Sequence, residues 1–264
     1  MSISALASPD LLAEVIDALN SSQFENCLAK WLLSVVRYDN FVVIAYFQDE
    51  PPKSLFTRIE EPRVLENFEG SYVSGAYLID PYHELHVNQA SKGLYRLKDI
   101  APDQFRRSRY NREYYQNTTM VDEIAYIAYP AKGVSVHVSL GRDITSQQRY
   151  SSRDLSAADK IEPIVCSLIE RHWSDLNSTG KFDEAQIVTS LISKIRQQHQ
   201  IKLSPRQAQV ALMILRGHSS VSMGLQLKIS PQTVKVFRKQ LYKRCGISSQ
   251  AELFNLMLPL LKHT

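Results

Sequence analysis

Basic side chains lie on one face of a short segment near the end of the chain. Within residues 231–245, Val234, Phe237 and Leu241 recur at helical spacing, which predicts a helix with its apolar stripe against a core. The stripe left facing outward is mostly basic and consists of Lys235, Val236, Arg238, Lys239 and Lys243. An α-helix fits the major groove of DNA, where Lys and Arg donate to guanine O6 and N7 and a valine methyl contacts the thymine methyl. The pattern therefore favours a nucleic-acid-binding helix, and the alternative that stays open is a solvated basic face.

Charge is distributed unevenly along the chain. From Ile201 onward there are ten Lys+Arg and one Asp+Glu, a formal charge of +9, whereas the first 200 residues carry 21 Lys+Arg and 26 Asp+Glu, a charge of −5. The net charge of +4 conceals this division. A basic tail of this kind is the electrostatic signature of a protein that binds a polyanion.

Start and stop signals divide residues 203–253 into four short helices. Ser204, Pro205 and Gln207 supply an N-cap with a capping box, and Gly217 ends this first helix. The second is expected over residues 220–227, followed by a tight turn at Lys228-Ile229. The remaining signals are Ser230-Pro231 and Gly246 around the third helix, and Ser249-x-x-Glu252 at the start of the fourth. The second and third helices, joined by the turn, form a helix-turn-helix.

This stretch resembles the helix-turn-helix of the LuxR/NarL/GerE type. The matching elements are Leu203-Ser204-Pro205-Arg206, Gly217, Ile229-Ser230, Thr233-Val234-Lys235, Gly246-Ile247 and Ala251-Glu252-Leu253. The chain departs from the family at Gln207 and Gln209, where acids are usual, at Ala211, where leucine is frequent, and at Phe237, where histidine is common. The resemblance implies base contacts from Lys235, Val236 and Lys239, and phosphate contacts from Gln232, Thr233, Arg238 and Lys243.

The last helix carries more apolar residues than a unit of this size needs. They are Leu253, Leu256, Met257, Leu260 and Leu261, and Pro259 is expected to bend the helix. In the family this helix pairs two DNA-binding units on the half-sites of an inverted repeat. We therefore expect a homodimer whose other partners are double-stranded DNA and the transcription machinery.

The first 175 residues predict an α+β domain, an antiparallel sheet with helices around it. Amphipathic helices are expected from Ser8-Pro9-Asp10 and from a Ser22-x-x-Glu25 capping box. β-branched and aromatic runs predict strands at residues 41–47 and 54–59. Residues 123–129 and 134–140 predict a hairpin with one apolar face: Val134, Val136, Val138 and Leu140. The layout is similar to the GAF/PAS-like sensor domains that precede this helix-turn-helix in LuxR-type regulators.

Three further segments complete the predicted organisation. Residues 101–117 indicate two short helices, with Asn111 as a cap for the second. Residues 155–176 indicate a long helix that Pro163 should kink or break near Glu162. The polar stretch 175–181 predicts a linker, and residues 183–198 predict a linker helix. The predicted domains are therefore a sensor at 1–175, a linker with its helix at 176–200 and an all-α four-helix DNA-binding domain at 201–264.

A cluster around Asp80-Pro81 bears on what the sensor binds. Together with Tyr72 and Tyr77 it resembles the acyl-homoserine-lactone site of LuxR proteins, in which an aspartate accepts a hydrogen bond from the ligand amide. The family's nearby tryptophan is missing, so we expect a small-molecule effector other than a simple acyl-homoserine lactone. The candidate lining residues are Tyr46, Tyr72, Tyr77, Asp80, Tyr114, Tyr126 and His137. The competing interpretation makes Asp80 a turn residue that caps the next helix and the tyrosines ordinary core residues.

Other classes of protein fit the sequence poorly. Cys27, Cys166 and Cys245 lie far apart, and His83 with His86 would need further ligands, so we expect no metal and no cofactor. No Walker, G-x-S-x-G, H-E-x-x-H or G-x-G-x-x-G motif occurs, and we expect no catalytic residues. A phosphorylated receiver domain would need alternating strands and helices, and the predicted order of two helices followed by strands and a hairpin lacks that alternation.

The N-terminus lacks a basic leader and no apolar run could span a bilayer, which predicts a cytoplasmic protein.

Overall fold

A five-stranded antiparallel sheet organises the first part of the chain, with the strand order β2-β1-β5-β4-β3. The strands are β1 (Asn40–Phe47), β2 (Lys53–Arg58), β3 (Gly93–Arg96), β4 (Asp122–Ala131) and β5 (Val134–Arg142). The computed structural model describes residues 8–48, 50–66, 68–178 and 184–262. The predicted α+β fold with a helical C-terminal domain is confirmed.

Eleven α-helical segments occur in the described ranges. They are α1 (Pro9–Asp17), α2 (Phe24–Val35), α3 (Pro81–Val87), α4 (Leu97–Ile100), α5 (Arg109–Asn111), α6 (Ser152–His172), α7 (Glu184–His199), α8 (Pro205–Arg216), α9 (Ser220–Leu227), α10 (Pro231–Cys245) and α11 (Gln250–Leu261). Shorter helical turns lie at Pro62–Leu65, Phe68–Tyr72, Ala76–Ile79, Phe105–Arg107 and Arg112–Gln116. None of the described helices is long and apolar enough to cross a bilayer.

The chain forms two compact units, and each takes segments from separate parts of the sequence. The sheet unit contains Met1–Val64, Leu85–Asp99 and Thr119–Lys181. The helical unit contains Leu65–Glu84, Ile100–Thr118 and Phe182–Thr264. The helical unit thus joins the predicted DNA-binding helices to two segments of the predicted sensor.

The core of the sheet unit lies between one face of the sheet and helices α1, α2 and α6. The predicted apolar set of β5, Val134, Val136, Val138 and Leu140, is buried in this core, which confirms the predicted alternation. The opposite face of β5 carries Ser135 and His137, which are also buried. The hairpin between β4 and β5 is tighter than expected, because β4 continues to Ala131 and only residues 132–133 turn the chain. Gly133 adopts a φ of 76°, which favours glycine.

Two predicted helix caps were wrong, and so was the predicted break in α6. Ser22 does not cap α2: the N-cap is Gln23 without a side-chain bond, and the Ser21 hydroxyl accepts from the Gln23 amide instead. Asn111 is the last residue of α5, whose cap is Ser108, and it precedes the turn Arg112–Gln116 without a side-chain capping bond. Helix α6 continues through Pro163, so the predicted break does not occur, and the alternative of a kink stays a prediction. Pro163 lies on the exposed face, so water can hydrate the carbonyl oxygen that loses its partner.

A helix is present at the predicted segment 183–198, since α7 spans Glu184–His199, and its role as a linker stays a prediction. Its buried residues Val188, Leu191 and Ile195 lie within the helical unit, where α7 packs against α8 and α11. The predicted linker 175–181 falls partly outside the described residues, because 179–183 are not among them.

Candidate nucleic-acid interface and effector cluster

Local capping chemistry sets the four helices of the C-terminal region. The Ser204 hydroxyl accepts from the Gln207 amide at 3.2 Å, and the Gln207 side chain accepts from the Ser204 amide at 3.0 Å, which confirms the capping box. The Ser219, Ser230 and Ser249 hydroxyls cap α9, α10 and α11 by accepting from the amide three residues further on. Gly217 and Gly246 end their helices with φ of 94° and 65°, as a left-handed C-cap requires.

Helix α10 presents the predicted contact residues on one face. Val234 and Leu241 are fully buried and Phe237 is half-buried, so the helix packs against α8 and α9 as its apolar stripe predicts. The opposite side exposes the row Gln232, Lys235, Val236, Lys239 and Lys243. Val236 is 47% exposed, which leaves an apolar methyl group beside the lysines. This row can reach base edges if α10 enters a major groove.

Two of the predicted phosphate contacts already make bonds on their own helix. The Arg238 guanidinium lies 5.3 Å from the ring centroid of Tyr242 and donates to its hydroxyl at 3.2 Å. The Thr233 hydroxyl lies 2.8 Å from that of Ser230. Tyr242 holds Arg238 along the helix surface, which reduces the entropy lost if the guanidinium binds a phosphate.

The predicted dimer residues of α11 are mostly covered within the helical unit. Leu253, Met257 and Leu260 are buried, and Leu256 is half-buried. Helix α11 packs against α7 and α8 and against the segments Ala76–Ile79 and Arg109–Asn111. Dimerisation through these side chains therefore requires part of that cover to move.

Asp80 is buried in the helical unit and accepts several hydrogen bonds. Its carboxylate accepts from the Tyr82 amide and from the Tyr110 hydroxyl, both at 2.8 Å, and also from Tyr72. Burial raises the pKa of Asp80 above its usual value, although these hydrogen bonds oppose the shift. The bond to Tyr82 makes Asp80 the cap of α3, as the competing interpretation proposed.

Three tyrosines near Asp80, namely Tyr72, Tyr110 and Tyr114, form one aromatic group. Tyr114 stacks on Tyr110 with ring centroids 4.6 Å apart, and its hydroxyl lies 2.6 Å from that of Ser71. Tyr77 is buried and meets the ring of His83 edge-on at 4.9 Å. Tyr110 was missed from the sequence, although its i, i+4 spacing to Tyr114 places both on one helix face.

The other candidate lining residues lie in the sheet unit. Tyr46 and His137 are neighbours, with ring centroids 4.6 Å apart. His137 Nε2 lies 3.0 Å from the Ser135 hydroxyl, which lies 2.7 Å from His86 Nδ1. Tyr126 is in the core on the opposite face of the sheet, where its hydroxyl donates to the Ala158 carbonyl. The structure thus divides the predicted lining set into three groups.

The two buried histidines predict that the protein loses stability in mild acid. Burial lowers the pKa of His86 from 6.5 to about 4, and burial together with the charge of His86 lowers the pKa of His137 as well. The unfolded chain takes up these protons near pH 6.5, so the stability is present above that pH and is lost as the pH falls towards 4. His86 alone should contribute a loss of up to about 3 kcal/mol.

Denaturant unfolding between pH 7.5 and 4.5 measures this effect. A variant with His86→Gln and His137→Gln should show a flatter pH profile than the unmodified chain, whatever its stability at pH 7.5. His199→Gln is the control, because this histidine is exposed on α7. Equal slopes in the double variant and the control would contradict the assignment.

A separate cleft of about 450 Å³ opens on the sheet unit. Its polar lining includes Gln48, Gln89, Lys92, Tyr129 and Lys132 and none of the predicted effector residues. Among the described residues, no group of three or more His, Cys, Asp or Glu side chains is placed to hold a metal ion.

The fold and the exposed basic row define a helix-turn-helix protein of the DNA-binding class. Residues 202–257 match the family described as bacterial regulatory proteins, luxR family. The match identifies residues 202–257 as a helix-turn-helix domain of the luxR-family type.

Two relatives extend the comparison beyond this domain. A chain from Aeromonas salmonicida, provisionally named an HTH-type transcriptional regulator in the exeN 3′ region, is 26% identical over 184 residues, which are 68% of this chain and 93% of that protein. The crystal structure of the VqsR LBD domain from Pseudomonas aeruginosa superposes with a TM-score of 0.54 at 24% identity, over 64% of this chain and 97% of that one. The likeness to the VqsR domain shows a shared fold.

Proposed function

We propose that this chain is a sequence-specific DNA-binding regulator that binds an inverted repeat as a homodimer and responds to a small molecule held by its N-terminal domain. The observation that carries the proposal is the exposed row on α10, inside a luxR-family domain, with Lys235, Val236 and Lys239 at its centre. Gln232 and Lys243 at the ends of the row are proposed to bind phosphates, as are Thr233 and Arg238 beside it. The domain bounds 1–175, 176–200 and 201–264 belong to the same proposal.

The small-molecule part of the proposal rests on the N-terminal fold and its buried polar groups. The VqsR domain that shares this fold is named a ligand-binding domain (LBD). Asp80, Tyr72, Tyr77 and Tyr114 supply polar groups in the helical unit, and Tyr46 and His137 supply them in the sheet unit. The Asp80 carboxylate already accepts from Tyr82, Tyr110 and Tyr72, so the effector that we propose does not depend on a hydrogen bond to Asp80.

Selection from a random duplex library tests the DNA-binding part. The full chain should enrich two inverted half-sites whose centres lie about one helical turn, roughly 10 base pairs, apart. Sedimentation of the complex should give two chains for each duplex. Enrichment of no sequence would contradict specific recognition, and a monomer both free and on DNA would contradict the dimer.

A second function is supported by the occupied carboxylate of Asp80. Because Tyr110 and Tyr82 already donate to it, the N-terminal domain fits a regulator that works without an effector and is controlled by its abundance or by a protein partner. Native mass spectrometry of the purified full chain separates the two proposals. A copurifying small molecule of fixed mass supports the effector, and its absence from protein made in several cell extracts supports the second function.

A further inference from the structure

The turn between α8 and α9 is held by a short stretch of the segment Ile100–Thr118. The Asp103 carboxylate accepts from the backbone amide of Ser219 at 2.8 Å. The Gln104 amide donates to the Gly217 carbonyl at 2.9 Å. A methyl group added at Gly217 would lie 2.7 Å from the Cα atom of Phe105, so the two backbones pack closely. Residues 103–105 therefore contact both sides of the turn, and we call this contact the Asp103 clamp.

A second set of bonds fixes the residue just before this turn. Arg216 is buried, and its guanidinium donates to the Leu78 carbonyl through Nε and Nη2, both at 3.3 Å. The same side chain forms an ion pair with Glu184 at 2.6 Å. The end of α8 is therefore held by segments outside the luxR-family domain, and the Asp103 clamp closes on an already fixed turn.

The amide that Asp103 occupies lies where a DNA backbone is expected. In a helix-turn-helix the first helix crosses the phosphate backbone while the second enters the major groove, and here these helices are α9 and α10. Backbone amides at a helix N-terminus are common phosphate donors. Ser219 is the N-cap of α9, so its amide belongs to the helix N-terminus at which we infer the backbone contact. A carboxylate and a phosphate cannot share one N–H donor, and their like charges repel.

Asp103 is the acidic partner of a region that is otherwise strongly basic. Residues 201–264 carry ten Lys+Arg and one Asp+Glu, so an acid brought in from the sensor sequence reduces the positive potential at the turn. Burial opposes the charged form, but hydrogen bonds from Ser219 and the nearby His218 lower the pKa of Asp103 below its usual value. The carboxylate is therefore charged at neutral pH.

We propose that the Asp103 clamp is an autoinhibitory contact that competes with the DNA backbone for the first turn of α9. The inference rests on the proposed DNA-binding function. In the clamped form the exposed row of α10 is present, but a phosphate meets a carboxylate at Ser219. The segment that carries the clamp also carries Tyr110 and Tyr114. The ring centroids of Phe105 and Tyr110 are 6.1 Å apart. The clamp thus links the effector cluster to the helix-turn-helix.

The variant Asp103→Ala in the full chain tests the clamp. It should bind both the selected duplex and random duplexes about 3- to 10-fold more tightly, with unchanged sequence preference, because the lost contact is to backbone and not to bases. Asp99→Ala is the matched control, since it removes the same charge at an exposed position of the sheet unit. Hydrogen exchange at the Ser219 amide should be faster in Asp103→Ala than in Asp99→Ala.

The outcomes separate this inference from the proposed function. Equal affinities of the two variants, with DNA binding intact, would overturn the autoinhibitory role alone. Unchanged exchange at Ser219 would overturn the clamp itself. Failure of every variant and of the unmodified chain to bind any duplex would overturn the proposed function, and the competition with it.

Discussion

Replacing Lys239 with alanine is expected to weaken binding to the selected duplex by about 1 to 3 kcal/mol, roughly 5- to 150-fold. Lys239 is exposed in the middle of the row on α10, one turn after Lys235, where a side chain reaches base edges once the helix lies in the major groove. The loss should be concentrated at one base position, so selection with the variant should return sites with relaxed preference there. Titrations of the selected duplex and of single-base variants measure both effects.

Arg238→Ala provides the comparison on the same helix. Arg238 is half-buried against Tyr242 and is proposed to bind a phosphate, so its loss should weaken all duplexes alike. The slope of log affinity against log salt concentration should also become shallower by about 1. A Lys239→Ala variant that weakens specific and random duplexes equally would contradict its assignment to a base.

Asp80→Ala is expected to destabilise the chain by about 2 to 4 kcal/mol. The substitution leaves the Tyr110 hydroxyl and the Tyr82 amide, both buried, without the acceptor that they share. Tyr110→Phe removes one donor and leaves no group without a partner, so its cost should be smaller, about 1 kcal/mol. Denaturant unfolding of the two variants beside the unmodified chain measures the difference.

The same pair of variants distinguishes a structural aspartate from one that binds an effector. If Asp80 has a structural role, Asp80→Ala lowers the free energy of unfolding of the chain whether or not a small molecule is present. Full stability in Asp80→Ala, together with a lost response of DNA binding to a copurified small molecule, would contradict the structural role and assign Asp80 to the ligand.

The sequence alone was sufficient to predict the four C-terminal helices, because their signals act over a few residues. Ser204 and Gln207 bond across a single turn, and a glycine such as Gly217 ends a helix through its own backbone freedom. The sheet alternation of Val134 and Val136 follows from the period of two in any strand. These features need no knowledge of distant partners, and the structure confirms them.

Tertiary structure decided which side chains meet. Tyr46 and Tyr126 are both buried tyrosines on central strands, yet the register places them on opposite faces of the sheet, and composition does not reveal register. Tyr110 reaches Asp80 over 30 residues of sequence, and Asp103 reaches Ser219 over 116. Contacts at such separations depend on how whole segments pack. The basic row of α10 was therefore readable from its own helix, whereas the carboxylate that meets the turn before α9 was visible only in the fold.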